Sequence, residues 1–135
     1  MEIDLALIAD AATVDGAGKL NILGVFDHIQ AREFPVRHER MVLVLRFSAG
    51  VDEAGTHEVA IVVLDPGGDE VARMDGQIQL GGGRPDAQIR LPQIVHLDGF
   101  VFPEAGVYSV EVHVGGELLT TQTLRLSEAA RIAQA

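Results

Sequence analysis

The sequence contains no cysteine and no tryptophan, and only one tyrosine. Without cysteine, disulfides, thiolate zinc sites and cysteine nucleophiles are all excluded. Without tryptophan, the exposed aromatic platforms used in sugar recognition are hard to build, so glycan binding is not expected. Basic residues are scarce: ten Lys and Arg stand against twenty Asp and Glu, a net charge of −10, with an isoelectric point of about 4.7. Such a field repels polyanions, which argues against nonspecific nucleic-acid binding and against docking on anionic membranes. No apolar run approaches the roughly 20 residues of a transmembrane helix. Met1-Glu2-Ile3-Asp4 places acids where a secretory signal carries lysines. Together these absences predict a cytoplasmic protein with no cofactor.

What is present is a chain of 135 residues, 47% of them hydrophobic. That is too apolar for disorder and long enough to bury a core, so one domain over residues 1–135 is expected. The hydrophobic pattern has period 2 nearly throughout. Tyr108, Val110, Val112 and Val114 fall on one face, with Ser109, Glu111 and His113 on the other. Ala72, Met74, Ile78 and Leu80 alternate with Arg73, Asp75, Gln77 and Gln79, and Ile89, Leu91, Val95 and Leu97 with Gln88, Arg90 and His96. Each run reads as a strand with one wet and one dry face. Met41 to Phe47 and Val59 to Leu64 are apolar on both faces, as in central strands or strands covered by a loop or a partner. Ile3 to Val14 and Lys19 to Phe26 flank Asp15-Gly16-Ala17-Gly18, a hairpin signal.

Turn residues recur at regular spacing, at Gly50 to Gly55, Pro66-Gly67-Gly68, Gly81-Gly82-Gly83, Glu104-Ala105-Gly106 and Gly115-Gly116. The pattern predicts an all-β antiparallel β-sandwich of about eight strands. His28 to Arg40, with Pro35 and mixed charges, reads as a crossover between sheets. Ser127 to Ala135 reads as a short C-terminal helical tail capped by Ser127.

Phe102-Pro103-Glu104-Ala105-Gly106-Val107-Tyr108 sets a glycine two residues before a tyrosine that opens a strand. In sandwiches such a tyrosine turns its hydroxyl back onto the upstream backbone, so Tyr108 is expected to pin a corner. Asp4-Leu5-Ala6-Leu7-Ile8-Ala9-Asp10-Ala11-Ala12, followed by Gly18-Lys19-Leu20-Asn21-Ile22-Leu23-Gly24-Val25-Phe26-Asp27, resembles the opening of an uncharacterised family of small bacterial proteins. The corner and the Gly115-Gly116-Glu117 hairpin resemble that family's C-terminal half. The resemblance implies a compact β-sandwich of unknown function and supplies no catalytic residues.

Candidate chemistry is thin. Gly16-Ala17-Gly18-Lys19-Leu20 lacks the Walker spacing and the helix N-terminus that would hold phosphates. Gly81-Gly82-Gly83-Arg84 reads as a hairpin rather than an anion nest. Among His28, His38, His57, His96 and His113, only His96 with Asp98 shows a metal-like spacing. Ser48, Ser109 and Ser127 occupy no nucleophile elbow. If turns alternate between the two ends of a sandwich, Asp27, Asp65, Asp69 and Asp98 share one end. They are weak candidates for a calcium-like metal site, and Asp is a favoured turn residue in any case.

Apolar residues in loops are the stronger hint. Phe34-Pro35-Val36 and Gly99-Phe100-Val101-Phe102-Pro103 are greasier than solvated connections require. They either plug the end of the sandwich or form a contact surface. The expectation is a noncatalytic binding or assembly module that meets a protein partner, or another copy of itself, through Phe34, Phe100 and Phe102. The alternative is a metal-dependent binding domain or enzyme using the loop carboxylates.

Overall fold

The computed structural model describes residues 1–81 and 88–129. Eight strands follow the alternating or doubly apolar runs: β1 (Glu2–Val14), β2 (Leu20–Val25), β5 (Val42–Ala49), β6 (Gly55–Leu64), β7 (Glu70–Leu80), β8 (Ile89–His96), β10 (Gly106–Val114) and β11 (Glu117–Glu128). Three shorter ones, β3 (His28–Ala31), β4 (Val36–His38) and β9 (Phe100–Phe102), lie in stretches the sequence presents as connections. The expected all-β, antiparallel class is present, with eleven strands among the described residues rather than about eight. A four-stranded sheet, β2-β1-β5-β8, and a five-stranded sheet, β3-β11-β10-β6-β7, are accompanied by a β4-β9 ribbon. The strands pair antiparallel except β3, which runs parallel to β11.

Both sheets turn one face into a single core. Leu43, Leu45 and Phe47 of β5 meet Ile61 and Val63 of β6 and Tyr108, Val110 and Val112 of β10, all buried. The alternate residues of β5, Val42 and Val44, face the other way and are equally buried, at 2% and 0% exposure. Their cover comes from the chain itself. The β1–β2 hairpin outruns β5, with which β1 pairs only as far as Ala9. Ala12, Leu20 and Ile22 of its far half pack against Ala9, Val42 and Val44. The doubly apolar reading of this strand therefore needs no partner. Val62 on β6 stays buried on its outer face between Glu111 and Arg73, its cross-strand neighbours, because the stems of long charged side chains cover apolar surface.

The helical tail is corrected. Ser127 and Glu128 close β11, in register with Gln30 and Ala31 of β3, and the Ala129 amide donates to the Ala31 carbonyl at 2.8 Å. One isolated turn of helix is marginal, whereas the free edge of β11 finds backbone partners in β3. Residues 130–135, the rest of that tail, and Gly82-Gly83-Arg84 of the glycine hairpin lie outside the described residues. No helix among the described residues is long and apolar enough to cross a membrane.

Candidate functional site

The loop phenylalanines are brought together, and mostly used up, by packing. Val36 pairs with Phe102 and His38 with Phe100 across the β4-β9 ribbon, so the two apolar loops do meet. Phe102, however, is 1% exposed and stands edge-on to the Tyr108 ring at 5.1 Å. It is core and offers no surface to a partner, which corrects its expected role. Phe34 and Phe100 are half-buried against the same core. Tyr108 behaves as its motif predicts. Its hydroxyl donates to the Glu104 carbonyl at 2.7 Å and accepts from the Glu104 amide at 3.1 Å. Burial pushes its phenol above the ordinary value.

The loop carboxylates do not converge. Asp65 accepts from the Asp69 amide at 2.8 Å within its own turn. Asp98 accepts from the Met41 amide at 2.8 Å and lies 3.5 Å from His96. Asp27 enters through its backbone, whose carbonyl takes the Arg125 amide. Among the described residues, no three His, Asp or Glu side chains are grouped to hold a metal ion. These aspartates are placed by turn chemistry, which favours a short carboxylate that bonds nearby backbone amides.

A mainly apolar concavity lies elsewhere, in the seam where the terminal strands of the two sheets face each other. β7 ends the five-stranded sheet and β8 ends the four-stranded one. Between them opens a cleft of about 170 Å³, walled by Leu45, Phe47 and Val95 on one side and Ile61, Met74 and Ile78 on the other. A second cleft of about 190 Å³ continues it past Ile61 and Met74 to Leu97, Asp98 and Phe100. Of the residues expected to form a site, Phe100 and Asp98 thus border this groove.

Two residues open the seam. Gly76 takes an inward position on β7, in the alternation that carries Met74 and Ile78, and pairs with Val59. A Cβ there would meet no atom of the described residues within 4 Å, and its φ is not among the positive ones. Neither backbone conformation nor crowding therefore calls for glycine at this position. Glycine inside a strand weakens it, and often marks the close approach of another group. Gln93 takes an inward position on β8, opposite Leu45, and brings an amide to an otherwise apolar wall. Met74 borders this gap and is 37% exposed. Along the rim, Arg73 contacts Asp75 at 3.3 Å and Glu70 at 3.7 Å.

Both residues were visible in the sequence as interruptions. Gly76 is the missing apolar member of the Ala72–Leu80 alternation, and Gln93 is the polar member of the Ile89–Leu97 alternation. Ligand sites are commonly apolar concavities with a few polar groups placed at their edge.

A family model described as a family of unknown function, DUF6941, matches residues 4–127. The chain belongs to this family. The matched stretch contains the opening signature, the Tyr108 corner and both strands of the seam, in keeping with the resemblance carried by the first two of these. No curated protein matches the chain.

Proposed function

We propose that this chain is a noncatalytic binding module that holds an apolar group of a partner protein in the seam between β7 and β8. The observation that carries this reading is the cleft of about 170 Å³ around Gly76, lined by the inward faces of both sheets. An engineered apolar cavity of about 150 Å³ lined by Leu, Ile and Phe admits benzene, and these residue types form part of the lining here. The cleft therefore suits one aromatic or branched aliphatic side chain. The net charge of −10 favours a protein partner over a polyanion. In this reading the seam takes the place of the loop phenylalanines, and only Phe100 contributes, at the groove's far end.

The test is a titration of the full chain with indole and with toluene while the methyl resonances of Met74, Ile78 and Val95 are followed by NMR. Saturable shifts at these methyls, absent in Gly76→Leu, are expected. No shift there, or the same shifts in Gly76→Leu, overturns the reading.

A further inference from the structure

We infer that the partner segment adds as a β-strand to the free edge of β7, with one aromatic or branched aliphatic side chain in the Gly76 cleft and Lys or Arg beside it. This rests on the binding reading above and names its partner. β7 is an eleven-residue strand at the end of its sheet, so one row of its backbone N–H and C=O groups has no strand beside it among the described residues. Such a row is a template for another strand. The facing strand offers a poorer template, because Pro92 sits in the middle of β8 and cannot donate to a ladder.

A strand laid along β7 turns alternate side chains toward the same face as Met74, Gly76 and Ile78, which is the seam. Backbone pairing then supplies affinity, and the cleft supplies selection for one side chain. The Gln93 amide on the opposite wall suits a polar group of the incoming chain.

Charge decides the rest of the partner. Asp75 and Asp98 line the groove against Arg73, whose guanidinium is shared between Asp75 and Glu70, and a basic segment complements that excess. The same feature argues against a second copy. A second copy carries the same net charge of −10, so two copies repel where a basic segment is attracted.

The experiment is selection of a displayed random-peptide library on the full chain, with counter-selection on Gly76→Leu. Synthetic versions of the enriched peptides are then measured by calorimetry and hydrogen exchange. Enriched peptides should share one aromatic or branched aliphatic anchor flanked by Lys or Arg. Gly76→Leu should weaken them at least tenfold, and binding should fall as salt rises. N-methylation at alternate backbone positions should weaken them about tenfold while the intervening positions tolerate it, and the β7 amides should gain protection. Met74→Glu, on a half-open site, serves as the second variant should Gly76→Leu fail to fold.

Peptides that need the cleft but tolerate N-methylation throughout, and leave β7 amides unprotected, overturn strand addition and leave the binding reading standing. Peptides that bind without discriminating either variant, or no enrichment at all, overturn both. A doubled mass that Gly76→Leu returns to 14.4 kDa overturns the partner named here in favour of a second copy.

Discussion

Two glycines of the five-stranded sheet illustrate opposite uses of the residue. Gly106 opens β10 at φ +137°, and a Cβ there would press into the Pro66 ring. Its neighbourhood is filled: Tyr108, Phe102 and Met41 are each at most 2% exposed, and the tyrosine hydroxyl has both a donor and an acceptor. Gly76 in β7 has an ordinary extended backbone and empty space where its side chain would go. One glycine is demanded by geometry, and the other by nothing among the described residues. Phe102 of the apolar loops is accounted for by packing, whereas the gap in the seam is not.

The largest effects should come from the filled end. Phe102→Ala removes a ring locked between Tyr108 and Phe100, and loss of such a ring costs about 3–5 kcal/mol. Chemical denaturation should show that loss as a lower midpoint with an unchanged slope. A cost under about 1 kcal/mol would mean the corner is loosely packed, and the contrast with the seam would dissolve.

Tyr108→Phe keeps the ring and removes only the hydroxyl, so it should cost about 1–2 kcal/mol by unpairing the Glu104 backbone. The same group gives a pH dependence. Burial raises the phenol's folded pKa above its ordinary 10.0. Its contribution to stability is therefore complete below pH 10 and is lost as pH climbs from there through the folded value. With one tyrosine and no tryptophan, phenolate absorbance reports this residue alone. It should appear at higher pH in the native chain than in the denatured one, and Tyr108→Phe should remove this part of the alkaline destabilisation.

At the seam the sign reverses. Gly76→Val adds a branched side chain to open space in a strand, a change of the kind that stabilises by about 0.5–2 kcal/mol through filling and β-propensity. A raised melting temperature together with loss of the indole and toluene shifts would set stability against binding at one residue. A destabilised Gly76→Val would mean that the space is needed by the chain's own packing, and the comparison would fail.

The sequence carried most of the fold because period 2 is a direct consequence of strand geometry, and the runs from Tyr108 to Val114 and from Val71 to Leu80 obey it. Glu104 and Tyr108 lie four residues apart, so the corner was legible too. β3, β4 and β9 were not, since strands of three or four residues are fixed by distant partners and carry no periodicity of their own. Ser127 was misread for a related reason. Its local preference for a cap competes with β3, ninety-nine residues away from it at His28, whose ring contacts the Ser127 hydroxyl. The seam required knowing which strands end their sheets. Strand order is a tertiary property, and only with it do Gly76 and Gln93 change from blemishes in a pattern into neighbours across one groove.

The smallest effect sharpens the comparison most cleanly, because it uses one residue type in both places. Met41 is 2% exposed at the filled end, and Met74 is 37% exposed in the seam. Met41→Ala should cost about 2–5 kcal/mol, the usual penalty for truncating a core methionine. Met74→Ala should stay within about 0.5 kcal/mol, the range of surface changes, because the thioether already borders open space. If the cleft binds an apolar group, Met74→Ala should still weaken the indole and toluene shifts at Ile78 and Val95, since it removes part of the wall. A Met74→Ala chain as destabilised as Met41→Ala would make the seam part of the core. A chain with unchanged stability and unchanged shifts would leave Met74 outside the site, and the wall would then end at Ile61 and Ile78.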